Sequence, residues 1–155
     1  MAVNSSPRPV RTKSLGIGRV LVVVYGILAL AATGRSVFQI MDRFAEAPLA
    51  FSLSAISAVV YIVATIALVA PGANWYAVAR LTIWFELVGV LVVGTISLAA
   101  PGLLGLNSTN PFGRESTVWS AYGLGYLLIP LVLPVLGLLY LRTRRPAAGA
   151  TDDAA

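Results

Sequence analysis

Four stretches of this chain run apolar with almost no charge, each closed by a helix breaker or by basic residues. They cover about residues 17–34, 49–70, 77–100 and 118–141. Each is close to the roughly 20 residues that a helix needs to cross hydrocarbon at about 1.5 Å per residue. Pro48 precedes the second run, Pro71-Gly72 and Pro101-Gly102 end the second and third, and Arg142, Arg144 and Arg145 close the fourth. Arg19 lies near enough to the start of the first to snorkel. The runs show no period-2 alternation, which argues against an outer-membrane barrel. The pattern predicts an all-α integral membrane protein, a four-helix bundle spanning residues 16–142.

The connections carry their own patterns. After the first run, Arg35, Gln39, Asp42 or Arg43, and Glu46 recur at three- and four-residue spacing, with Phe38, Met41 and Ala45 on another face. Helix one is therefore expected to project beyond the lipid, or to bend into an interfacial helix, until Pro48. Residues 71–76 are too few for anything but a tight turn, which makes helices two and three an antiparallel hairpin. The longest connection, 101–117, has turn chemistry at Asn107 to Pro111 and offers Ser116 or Thr117 as an N-cap. Asn107-Ser108-Thr109 fits the glycosylation sequon, a three-residue match that arises readily by chance. Residues 1–15 and 143–155 read as disordered, basic or small-residue tails. Thr65–Gly72 resembles Thr95–Gly102, but the match extends in neither direction, and two helices stopped by the same breaker explain it.

Composition sharpens this picture. Apolar side chains make up 58% of the chain and charged ones 11%, against about 25% charged in soluble domains. Eleven basic and six acidic groups cannot cover the surface of a soluble domain of 155 residues. Cys and His are both absent, which excludes disulfides, thiolate metal sites, His-ligated haem and the usual proton shuttle. Neither a metal nor another cofactor is expected. Arg8, Arg11, Lys13, Arg19, Arg80, Arg142, Arg144 and Arg145 fall on one side of the threading, and Arg35, Arg43 and Arg114 on the other. Because Arg and Lys flanking the spans stay in the cytoplasm, both termini are expected inside. The basic tails suit contact with anionic lipid rather than nucleic acid. A rival threading makes residues 20–31 a signal-peptide core with Ala29-Leu30-Ala31 at its cleavage site. The long basic segment before it and the helical pattern beyond it weigh against that threading.

Several segments together resemble a known group of proteins. They are Ala32–Gln39, Glu46–Ala55, Phe85–Gly94, and Val118–Tyr126 running into Pro130 and Pro134. With ten Arg against one Lys and abundant Ala and Val, the chain resembles uncharacterised small four-helix integral membrane proteins of high-GC Gram-positive (actinobacterial) bacteria. The resemblance spans most of residues 17–145. It implies a plasma-membrane location and carries over no activity and no catalytic residue.

Glu86 is the one acidic residue inside a span, nine residues past Ala77 and so about 13 Å in. An ionisable group at that depth faces the bundle interior or a water pocket. Arg80, six positions away on the same helix, lies on a different face; it sits one turn before Trp84, within reach of a cation–π contact. Tyr25 and Tyr61 lie at depths of about 12 and 14 Å on their own helices, with Tyr126 somewhat further out. Pro130 and Pro134 each deprive a carbonyl of its helical donor, those of Tyr126 and Pro130, and mark a kink in helix four. Glu86, Tyr25, Tyr61 and Tyr126 thus form a candidate intramembrane polar cluster, open to three readings: helix–helix glue, a proton- or cation-coupled pocket, or a site for a quinone- or lipid-like ligand. Arg35, Gln39 and Arg43 form a second candidate, an outer stripe that is either a solvated helix extension or a docking face for a partner or lipid headgroups.

With one buried carboxylate and no His or Cys, neither a paired-carboxylate mechanism nor a nucleophile–base pair can be assembled, and no enzyme is expected. The leading expectation is an accessory or interaction protein of the bacterial cytoplasmic membrane, partnered by lipids, another membrane protein or further copies of itself. The alternative is a small proton-coupled transporter using Glu86. The threading is directly testable: a reporter fused at Arg145 should read as cytoplasmic, and a single Cys at position 108 should be labelled from outside. A periplasmic signal at Arg145 would overturn the four-span threading, and an intact mass that includes residues 1–31 would dismiss cleavage.

Overall fold

The computed structural model describes residues 13–110 and 112–144, with side chains from residue 16. The tails expected at 1–15 and 143–155 fall almost wholly outside these residues. Within them the chain is helical, with no strand among the described residues. Helix α1 covers Lys13–Arg43, α2 Pro48–Val69, α3 Ala73–Ala99 and α4 Ile129–Thr143. The first three are long and apolar enough to cross a membrane. A fourth crossing is formed if α4 and the tight coil preceding it, Ser120–Tyr126, count as one broken span.

The sequence explains where each helix starts and stops. α1 is a single helix of 31 residues, about 46 Å long, which exceeds a hydrocarbon core of about 30 Å by some three turns. It therefore continues as one uninterrupted helix through Arg35 and Gln39. Pro48 occupies the first turn of α2, where its missing N–H takes no helical bond. The α2–α3 turn is short, and Gly72 adopts a φ of 112° that side chains resist. α2 ends at Val69 and α3 at Ala99, each two residues before a proline; the same breaker accounts for the similar sequences there.

Buried positions trace one stripe per helix. On α3 these are Ala79, Ile83, Glu86, Val90, Val93 and Ser97, spaced at alternating fours and threes as a packed helix face requires. α1 contributes Leu21, Tyr25, Leu28, Ala32, Ser36 and Gln39. α2 contributes mostly small residues, among them Ala50, Ser54, Ala64 and Ala67, with Phe51 and Tyr61 between them. Neighbours pack in a ring: α1 on α2, α2 on α3, α3 on α4, and α4 back on α1. The opposite faces carry exposed Val23, Leu30, Val59, Ile66, Val88 and Leu98, apolar surface that suits lipid and not water. Ser36, Thr33 and Thr65 satisfy their hydroxyls on carbonyls of their own helix four residues back.

The fourth apolar run departs most from a simple helix. The axes of Ser120–Tyr126 and α4 differ by 97°. The break lies before Pro130, which sits in the first turn of α4, while Pro134 lies inside that helix. The expected kink is thus a full break at Leu127 and Leu128, both in the left-handed region. Amides of Leu127 and Leu128 bond back to the carbonyls of Leu124 and Gly123, the paired bonds of a Schellman terminus. Ala121 and Tyr122 also have positive φ, a conformation costing roughly 1–2 kcal/mol per non-glycine residue. Ser116 and Thr117 start no regular helix. Thr117 accepts from the amide of Trp119 and pairs with Ser120, and the backbone then turns left-handed. Tertiary bonds hold this geometry: the hydroxyl of Ser97 on α3 accepts from the amide of Ala121 at 2.8 Å. As α4 has 15 residues, about 22 Å, it covers less than a hydrocarbon core alone.

Gly123, with a φ of 79°, lies directly under the Pro130 ring. A Cβ there would collide with three carbons of that ring, which is rigid and cannot swing aside. Gly123→Ala should therefore lower the thermal unfolding midpoint in mild detergent, and by more than Gly34→Ala on α1, whose Cβ would meet open space. Equal midpoints for the two variants would contradict the break as described.

Candidate functional site

The α3 stripe places Glu86 in the middle of the buried surface, where it is completely enclosed. Its depth on the helix follows from the sequence; its environment depends on what the other helices bring. α1 presents Tyr25, also fully buried, whose hydroxyl donates to Glu86 Oε2 at 2.7 Å. α2 presents Tyr61, its ring tilted against Tyr25 with centroids 6.3 Å apart. The Tyr61 hydroxyl in turn accepts from Trp119 Nε1 at 3.0 Å. Four buried side chains from three helices and the 118–128 segment therefore meet in one place. They form two hydrogen bonds joined by a tilted pair of aromatic rings, a packing that aromatic quadrupoles favour.

Two glycines border the cluster. Trp119 lies across Gly89, one turn along α3 from Glu86, at a distance that leaves no room for a Cβ. Gly137 on α4 faces Ile83 and the Tyr25 hydroxyl, so α4 closes over the Tyr25–Glu86 bond from the remaining side. No water-sized space touches Glu86, since none of its surface is accessible. Oε1 has no hydrogen-bond partner. One carboxyl oxygen is paired and the other is buried without a partner.

Among the four residues expected from sequence, Glu86, Tyr25 and Tyr61 come together. Tyr126 is half-buried against the same core but makes no side-chain hydrogen bond to the other three. The bond to Glu86 comes from a phenol, not from the backbone freed around the prolines. Trp119 is a member that the sequence pattern does not single out, although it carries a signal: an indole N–H inside an apolar run must find an acceptor where water is absent. Ser97 escapes sequence reasoning as well, because its role depends on a left-handed turn that the pattern does not reveal.

The outer stripe has a different fate. Arg35 Nη2 donates to the carbonyl of Ser116 at 2.7 Å, to its hydroxyl at 2.8 Å and to the carbonyl of Gly113 at 3.2 Å. Gln39, almost fully buried, donates to the carbonyls of Arg114 and Ser116 at 3.1 and 3.3 Å. The projecting end of α1 thus holds the 101–117 loop of its own chain. Arg43 points elsewhere, 3.7 Å from Glu46 and over the Phe38 ring. Within that loop Glu115 takes both the backbone and side-chain amides of Asn107. Arg80 and Trp84 line a common cavity, but Arg80 does not stack on the Trp84 ring; the described cation–π contacts are Arg43 on Phe38 and Arg144 on Tyr140.

Among the described residues no three acidic side chains come together, so none of them gathers ligands for a metal ion. The arrangement can fix helices in register and hold one acidic proton in a dry core. Comparison with family models, with curated proteins and with solved structures finds no match for this chain.

If the Tyr25–Glu86 bond carries the cluster, Tyr25→Phe should lower stability in detergent by about 1 kcal/mol or more, because both carboxyl oxygens are then unpaired. Tyr126→Phe, which removes no described bond, should stay within about 0.5 kcal/mol of the parent. Differential scanning of the purified proteins would show the contrast, and equal losses would contradict it.

Proposed function

We propose that this chain is a multi-pass protein of the bacterial cytoplasmic membrane, a four-helix bundle with both termini inside, and that it works as a non-enzymatic accessory or interaction protein. The observation that carries this reading is the closed environment of Glu86: fully buried, bonded to Tyr25, with no water-sized space against it. A carboxyl group used to move protons across a membrane needs a water-filled path to at least one side; a carboxyl group that joins helices does not. The loop-facing bonds of Arg35 and Gln39 support a rigid scaffold. The uneven distribution of Arg and Lys supports the orientation. The high Arg and Ala content and the four segments named above support a place among the small actinobacterial membrane proteins that the chain resembles.

One observation favours a second reading, a small proton-coupled transporter. Glu86 Oε1 is buried without a partner, which would suit a proton site that opens in another conformation. Glu86→Gln separates the two, since the amide keeps the size and a donor but releases no proton. The accessory reading expects Glu86→Gln to fold and to retain the proteins that co-purify with the parent from native membranes in mild detergent, while Glu86→Leu loses thermal stability. A pH-gradient-dependent flux in proteoliposomes that the parent supports and Glu86→Gln abolishes would replace it with the transporter reading.

A further inference from the structure

At the end of the molecule formed by the α2–α3 turn, the start of α1 and the end of α4, three cavities adjoin one another. The largest, about 510 Å³, lies between α3 and α4 and is lined by Tyr76, Arg80, Leu81, Trp84, Leu138 and Arg142 among others. A second, about 320 Å³, shares Tyr76 and Leu141 with it and adds Tyr140 and Arg144. A third, about 400 Å³, runs from Tyr140 and Arg144 to Arg19 and Val22 on α1. Arg80 and Arg142 face one cavity, and among the described residues no acidic side chain lines any of the three. The described salt bridge, Arg43 to Glu46, belongs to the opposite end, as does Glu115 in the 101–117 loop, and Glu86 is enclosed in the core. Two arginines lining one cavity, with no acid among its described lining residues, make it a place suited to an anion.

The shape of the largest cavity specifies the kind of anion. Arg80 lies seven residues into α3, and the next turn carries Leu81 and Trp84, which are 73% and 48% exposed. The polar groups Tyr76, Arg80 and Arg142 therefore gather at the mouth, while an apolar wall continues along the helix toward the lipid-facing surface. Soluble anions have no use for that wall; an amphiphile uses both parts. The geometry points to a binding site for an anionic phospholipid, with its phosphodiester between Arg80 and Arg142 and an acyl chain along Leu81, Trp84 and Leu138. A volume of about 510 Å³ lies within the range of small-ligand sites, about 300–1,000 Å³. Basic pockets between helices on the cytoplasmic side have the chemistry for such headgroups. The site rests on the membrane reading above and adds to it a lipid class and a place.

The full chain in mild detergent, titrated with dioleoyl phosphatidylglycerol, dioleoyl phosphatidylcholine or sn-glycerol 3-phosphate and followed by native mass spectrometry, tests it. Phosphatidylglycerol should be retained at least fivefold more tightly than phosphatidylcholine. Arg80→Gln/Arg142→Gln should abolish that preference, and Arg114→Gln, at the other end, should keep it. Independently of these variants, phosphatidylglycerol with brominated acyl chains should quench the emission that parent and Trp84→Phe differ by, and brominated phosphatidylcholine should not. Equal retention of the two lipids, a preference surviving in the double variant, or saturation by glycerol 3-phosphate alone would overturn the proposal. If the protein fails to fractionate with membranes, the membrane reading itself falls; if it fractionates, unfolds cooperatively and shows no headgroup preference, only the lipid site falls.

Discussion

A carboxyl group enclosed among apolar helices can find a partner only within the chain, and this constraint organises the core. Glu86 receives one strong bond, from Tyr25, over a sequence separation of 61 residues. That bond fixes the rotation of α1 against α3, because a turn of either helix by one position would leave both groups unpaired in a medium without water. Tyr61 then has to lie against Tyr25, and its hydroxyl has to meet Trp119. Each step removes a freedom from the next element, so a short polar chain sets the register of α1, α2, α3 and the segment before α4. Gly89 belongs to the same constraint: it lets the Trp119 indole lie closer to α3 than a Cβ would allow.

The broken fourth segment follows from the same physics. In a continuous helix through residues 118–141 the amide of Ala121 would bond within its own helix and not to Ser97. The chain instead adopts several left-handed residues, which are unfavourable by themselves. In exchange it places Trp119 over Gly89 and bonds the amide of Ala121 to Ser97. Non-helical backbone at membrane depth is tolerated where it is enclosed by protein, and Ser120, Ala121 and Gly123 are buried. Pro130 then starts α4 at a position where its missing amide removes no bond.

Much of this architecture is legible in the amino-acid sequence. The boundaries of α2 and the end of α3 follow from apolar runs stopped by proline, while α3 begins at Ala73, four residues before its apolar run, and the projection of α1 follows from the polar spacing of Arg35 and Gln39. The depth of Glu86, Tyr25 and Tyr61 can be counted, because depth is additive along a helix. Rotation is not additive: whether Tyr126 or Trp119 joins the cluster depends on a left-handed turn that no local pattern encodes. The target of Arg35 and Gln39 is equally hidden. A cationic helix face looks the same in sequence whether it meets solvent, a partner or a loop of its own chain 75 to 81 residues away.

The arginines at the two ends are handled differently, and the difference has a physical reading. At the loop end, Arg35 is absorbed by carbonyls, and Arg43 sits near Glu46. That end supplies its own acceptors and can face a medium that offers no particular counter-ion. At the basic end, Arg80 and Arg142 line a cavity with no acidic side chain among its described residues, and Arg144 rests on the ring of Tyr140. Guanidinium groups so arranged are best stabilised where anions are concentrated, which in the proposed orientation is the surface of the cytoplasmic leaflet, with its negative potential. On the proposed orientation, the basic end is completed by the membrane, while at the loop end Arg35 and Arg43 find acceptors within the protein.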